Sequence, residues 1–270
     1  MHIQSMKIPN KKFGNLINES NYFMKTIRIK KVYFFFAAVL AFMVSLPVAF
    51  ANPNVFIYKK EVNEVSAAAV TGSAINKLYD SLSLNRSGLS KEAFDYAVKG
   101  YEYLKAKGKI VNSNVLTIAD FTKSSAHKRL FVLDIKNYKV LFNTYVSHGQ
   151  GTGAAMAERF SNTPESHQSS LGFYTTSDTY IGKHGLSLHL QGMENGINDK
   201  ALERAIVMHG AAYVSEGFIQ ARGYIGRSHG CPAVPEHLTK PIIEKIKNGS
   251  CLFIYSENNK YLKSSKIINS

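Results

Sequence analysis

Two segments of the sequence hold residues that could do covalent chemistry together. Ile206-Val207-Met208-His209-Gly210 is an apolar run ending in a histidine and a glycine, and further along comes the polar turn Arg227-Ser228-His229-Gly230-Cys231-Pro232. A thiol becomes a useful nucleophile near neutral pH when a base takes its proton, and an imidazole at a strand end facing a tight turn provides one. Cys231 is the expected nucleophile and His209 its base. The same imidazole would return the proton to a departing amine and later take one from an incoming amine.

The turn also has parts for holding an oxyanion. Gly230 lets the backbone approach a substrate closely, and the N–H groups of Gly230 and Cys231 can point together at the carbonyl oxygen under attack. Pro232 has no N–H and pushes Cys231 toward an extended backbone, so the donors must lie at or before Cys231 or on another loop. Taken singly, a cysteine in a turn is more often inert, a strand-end histidine is more often a hydrogen-bonded core residue, and Ser-Gly turns are common. The alternative for the cluster is a zinc site made of His209, His229 and Cys231, against which stands the close spacing of His229 and Cys231. No metal and no cofactor are expected.

The elements that must position these residues follow from the pattern along the chain. From about residue 114, short alternating or apolar runs predict strands at 116–121, 129–135, 139–147, 171–176, 186–190, 205–208 and 251–255. Lys136-Asn137 reads as a hairpin turn, and the glycines at 149–153 and 192–196 mark loops. The expected fold is α+β and mainly β, an antiparallel sandwich or barrel-like domain over 113–256 preceded by a small helical segment over 52–112. Within that segment Ser90 is an N-cap, Leu89 and Phe94 form a hydrophobic staple, Phe94, Val98, Tyr101 and Leu104 repeat at helical spacing, and Gly108 sits at the C-terminal cap. Residues 257–270 are polar and predicted to fray.

The first residues predict export. A cationic run after Met24 leads into the apolar stretch Val32–Val48 and then Ala49-Phe50-Ala51, a small-x-small cleavage signal, so 1–51 reads as leader and signal peptide with translation starting at Met24 and cleavage after Ala51. An uncleaved anchor is the alternative, and only that would tie the protein to the membrane. Export places the working domain in the periplasm or cell envelope. The net charge of +14 falls to +8 beyond residue 51, where 26 Lys and Arg face 18 Asp and Glu, so the surface stays basic and suits polyanions in general. Nucleic acid is excluded as a partner by export and by the lack of basic runs interleaved with aromatics. The only cysteines are Cys231 and Cys251, and the apolar run around Cys251 marks it as core, so no disulfide is expected. Nothing in the sequence fixes the oligomeric state.

His209-Gly210 followed by Ser228-His229-Gly230-Cys231 resembles the L,D-transpeptidases of the YkuD type. The likeness runs over about 128–256 and includes Ser147-His148-Gly149, Ser161-Asn162-Thr163-Pro164, Gly172-Phe173-Tyr174 and Gly182-Lys183-His184-Gly185. The resemblance implies an enzyme, a cysteine acyltransferase whose partners are peptidoglycan stem peptides. Cys231 would form a thioester at the L-centre of the diamino acid and release D-alanine, and an amine from a neighbouring stem would resolve it as a 3→3 cross-link. It also implies that the Gly210 carbonyl orients the imidazole and that Ser228 and His229 support the oxyanion turn. Pro232-Ala233 and the longer interval between His209 and Ser228 depart from the common pattern, so the pocket is less defined; His148, His167, Tyr213 and Arg227 are its candidate contacts. With water as acceptor the same chemistry gives an L,D-carboxypeptidase or endopeptidase, and a third reading is a cell-wall-binding protein without catalysis.

Overall fold

Ser90 opens the first long helix. In the computed structural model, which describes residues 77–270, its hydroxyl accepts the Ala93 N–H and the helix α1 runs over Lys91–Ala106. Leu89 and Phe94 are both buried, as a staple requires, and Gly108 adopts φ +65° while the next N–H, that of Lys109, returns to the Leu104 carbonyl. Both caps are as the sequence predicts. The leader and signal peptide, and the helical reading of 52–76, lie outside the described residues. The helix packs so closely on the sheet that a Cβ at Gly100 would fall 2.0 Å from the Phe173 ring.

The strands are β1 (Val115–Asp120), β2 (Leu130–Asp134), β3 (Lys139–Thr144), β4 (Gly172–Gly182), β5 (Gly185–Gly192), β6 (Val207–Gly210), β7 (Ala233–Val234) and β8 (Cys251–Tyr255). They form one sheet in the order β3-β2-β1-β8-β4-β5-β6-β7, antiparallel except for the β1/β8 and β6/β7 pairs. The two edges approach each other: beyond β3 the Ser147 N–H donates to the Ala233 carbonyl of β7 at 2.8 Å, and the sheet becomes a nearly closed barrel. The mainly β fold read from the sequence is the one observed. β1 and β8 are buried along their whole length; β8 is a continuous apolar run, whereas β1 also buries Thr117 and Asp120.

Two helices lie within the β region, α2 (Glu216–Arg222) and α3 (Glu236–Ile246), and a third, α4 (Asn259–Ser264), follows β8. The last corrects the expectation of a frayed tail. The Asn258 side chain caps α4 by accepting the Tyr261 N–H, and Tyr261, Ile267 and Ile268 are buried. The Tyr261 and Ser265 hydroxyls donate to the buried Glu194 carboxylate, so three spaced apolar anchors and two polar ones fix a segment whose average composition is hydrophilic.

Candidate active site

His209 sits near the end of β6, paired with Ser187 of β5 on one side and Ala233 of β7 on the other. Its Nδ1 lies 2.9 Å from the Gly210 carbonyl oxygen. A carbonyl only accepts, so Nδ1 carries the proton and Nε2 keeps its lone pair. Gly210 has no room for a side chain: a Cβ would lie 2.3 Å from Thr239 Oγ1 of α3. Burial holds the imidazole below its ordinary 6.5, the Gly210 carbonyl pulls the other way, and His184, stacked on it at 4.4 Å, adds to the lowering. The ring is a neutral base at neutral pH.

Cys231 is partly buried and free, as is the fully buried Cys251 on β8. Its sulphur accepts the Val207 N–H at 3.5 Å and faces the Ala205 carbonyl at 3.7 Å. The segment just before His209 therefore cradles the thiol and also leads into the imidazole. Burial pushes the thiol up from its ordinary value, while the Val207 N–H and the Arg204 guanidinium draw it back in part. With the imidazole lowered and the thiol raised, the pair rests as thiol and neutral imidazole.

The turn before Cys231 is held from three sides. The Ser228 hydroxyl donates to the Cys231 carbonyl at 2.6 Å and accepts the Gly230 N–H at 3.0 Å. This corrects the expectation that Gly230 supplies an oxyanion donor, because its N–H is already used inside the turn. Among the described residues the amides of His229 and Cys231 donate to no other residue, which leaves them as the turn's available donors. Gly149 bridges Ser228, and Ser169 Oγ accepts the Gly149 N–H and donates to the Gly230 carbonyl. Gly230 has φ +123°, and a Cβ there would fall 2.8 Å from the Gln168 carbonyl.

The expected pocket residues divide. His148 is fully buried; its Nδ1 accepts from Arg129 at 2.7 Å and its Nε2–H faces the Gly153 carbonyl at 3.3 Å. It is part of the loop's core and no pocket contact, because the buried guanidinium needs an acceptor there. Arg227 is exposed, with Nη1 donating to the same Gly153 carbonyl at 3.0 Å. His167 and His229 stack face to face at 4.2 Å beside the turn, and Gln150 Nε2 donates to His167 Nδ1 at 3.0 Å. Tyr213 is partly buried against Gly226, and burial raises its hydroxyl to about 12. Among the described residues His209, His229 and Cys231 do not form a group that could hold a metal ion.

Against this geometry, the model of the L,D-transpeptidase catalytic domain matches residues 85–255. The chain belongs to the L,D-transpeptidase catalytic domain family. The matched span takes in α1 as well as the barrel. Similar solved structures include an L,D-transpeptidase from Mycobacterium smegmatis, 14% identical over 53% of this chain and 59% of that one, TM-score 0.33. Others are an L,D-transpeptidase from Stackebrandtia nassauensis, at 17% identity, 63% and 69% coverage and TM-score 0.33, and a mutant of the helical cell shape determining protein Pgp2 from Campylobacter jejuni, at 14%, 63%, 62% and 0.36. The chain thus spans 59% of the length of the first of these. No curated protein matches it.

Two residues of this L,D-transpeptidase domain escape a reading of the site from its motifs. His184, in the exposed turn between β4 and β5, stacks on His209, and Arg204 lies behind the cysteine turn. His184 stands in a Gly-Lys-His-Gly turn that already resembled the family, so a signal for it existed. Arg204 had none.

His148 makes stability depend on pH. Burial, with Arg129 second, lowers it from 6.5 to about 4, so between those values the unfolded chain binds a proton that the fold refuses. Stability is full above pH 6.5 and falls on acidification toward pH 4, by about 3.5 kcal/mol in all at ~1.4 kcal/mol per unit. Glu194, raised by burial, opposes this near its own titration. Urea denaturation across this range should show a steeper decline in the wild type than in His148→Asn; equal slopes would remove His148 as the cause.

Proposed function

We propose that the protein is an exported peptidoglycan L,D-transpeptidase acting through a Cys231 thioester, with His209 as general base. The observation that carries this reading is the His209 Nδ1–H bond to the Gly210 carbonyl, which leaves Nε2 as a lone-pair acceptor beside the β7 strand that the Cys231 turn enters. Membership of the L,D-transpeptidase catalytic domain family supports it. Export rests on the leader read from residues 24–51.

Acylation begins as Nε2 takes the thiol proton and Sγ attacks the carbonyl at the L-centre of the donor's diamino acid. The oxyanion that forms is held by the N–H groups of Cys231 and His229. As it collapses, the bond to D-alanine breaks and the imidazolium returns the proton to the leaving amine. An amine of a second stem then attacks the thioester, loses its proton to His209, and expels the sulphur. Ser228 and Gly230 keep the turn in shape for both steps, and His167, His229 and Tyr213 border the donor.

The test is intact mass spectrometry of residues 52–270 and of Cys231→Ala with a disaccharide tetrapeptide. Donor mass less D-alanine on the wild type only, with a cross-linked dimer as product, is the expected result. Tripeptide and D-alanine without dimer would transfer the reading to a carboxypeptidase, and an unmodified thiol with intact substrate would overturn it in favour of wall binding.

A further inference from the structure

Arg204 is a charged residue with neutral partners. Its guanidinium donates to the Ser161 carbonyl at 2.8 Å, Ser170 Oγ at 2.6 Å, the Gln168 carbonyl at 2.6 Å and Ser166 Oγ at 3.4 Å. Among the described residues it forms no ion pair with a carboxylate. A partly buried cation without a counter-charge is costly, and a clamp on loop carbonyls does not by itself require one. The charge gains a purpose when an anion forms next to it.

The geometry says where. Arg204 Nη2 lies 3.3 Å from the place a Gly230 Cβ would occupy, so the guanidinium backs the residue before the cysteine. The chain continuing from Arg204 then builds the surroundings of the sulphur: Ala205, at φ +50°, turns its carbonyl to Sγ, and Val207 aims its N–H there. Tyr174 is the other acidic group close to Arg204, but it is fully buried, donates to the Ser170 carbonyl, and is pushed far up by burial, so it stays neutral. Among the described residues Tyr213, in the loop after β6, is another titratable group coupled to the thiol, and burial keeps it neutral at neutral pH, as it does His209 of β6.

We infer that Arg204 is a positioning residue whose guanidinium acts as the counter-charge of the Cys231 thiolate. This rests on Cys231 being the nucleophile. The service is needed twice: when the thiol gives its proton to His209, and when the acceptor amine attacks the thioester, the C–S bond breaks and the electron pair returns to Sγ while the amine proton goes to His209. In both, negative charge grows on the sulphur at the end of the turn that the Arg204 guanidinium backs.

Alkylation by iodoacetamide tests this without any cell-wall substrate, and Cys251 is too buried to interfere. Rates for Cys231 are followed by mass against pH in the wild type, Arg204→Lys, Arg204→Gln and Arg204→Met, with folding checked by urea denaturation. The neutral variants should react about tenfold more slowly near pH 7, lysine should fall between, and all should converge at high pH once the thiol is ionised everywhere. Methionine keeps the aliphatic stem and substitutes for glutamine if that variant fails to fold. Profiles with the wild-type midpoint in every folded variant, whatever their stability, would reduce Arg204 to a loop clamp and overturn the inference. Because alkylation needs no donor, a shifted profile stands even if the tetrapeptide proves to be the wrong substrate, and acylation of the wild type can succeed while this inference fails.

Discussion

Replacing His209 with glutamine is expected to slow formation of the Cys231 thioester by about three to four orders of magnitude. The size follows from the resting state. Burial raises the thiol and lowers the imidazole, so almost no thiolate stands ready, and on the proposed mechanism each attack depends on a proton moving to Nε2 during the step. On the proposed mechanism the same nitrogen then protonates the departing amine, so its loss would affect both halves of acylation. A lowered imidazole keeps its lone pair at pH values where an ordinary histidine would be protonated, which places the acidic limb of the rate profile below 6.5. The rate falls as pH drops through the His209 value and not before it. Single-turnover mass spectrometry of the acyl-enzyme between pH 4 and 8 reads both effects; a loss under tenfold, or an acid limb at or above 6.5, would assign the proton transfer to another group.

What the sequence made legible was what neighbours in the chain decide. The caps of α1 follow local rules, and β8 is the run Cys251–Tyr255 at both ends because no polar residue interrupts it. His209, Gly210 and the Ser-His-Gly-Cys turn were readable for the same reason. The use of the Gly230 N–H was within reach as well: a serine two residues before a glycine commonly folds its hydroxyl back onto the backbone, as Ser228 does. Arg204 and His148 depend on distant partners. His148 looks like a polar loop residue until β2 and β3 bring Arg129 against it, and Arg204 means nothing without the turn that packs on it. β7 is two residues long and is defined by its pairing with β6 and by the hydrogen bond from Ser147, while α3 contains Pro241, a residue that sequence rules treat as a breaker.

Arg129→Leu is expected to cost about 4 kcal/mol of stability, lowering Tm by about 10 °C. Arg129 is fully buried, lies over the Phe121 ring at 4.6 Å, and donates from Nε and Nη2 to the Val146 carbonyl and from Nη1 to the Lys123 carbonyl. Leucine would leave both carbonyls dry and unpaired at ~1–3 kcal/mol each, and His148 Nδ1 without its donor. Relief of the buried charge offsets part of this: burial has already drawn the guanidinium down to about 9, with Asp120 alone acting against it. Arg129→Lys should lose less, because one ammonium can satisfy one or two of these acceptors but not the whole fork. The damage reaches the site through the chain itself, since Val146 and His148 precede Gly149, which bridges Ser228 of the cysteine turn. Thioester formation should therefore fall with stability in Arg129→Leu, and a double-mutant cycle with His148→Leu should show coupling above about 1 kcal/mol. A stability loss under about 1 kcal/mol, or additivity in the cycle, would mean that water replaces the guanidinium and that the arginine does not support the turn.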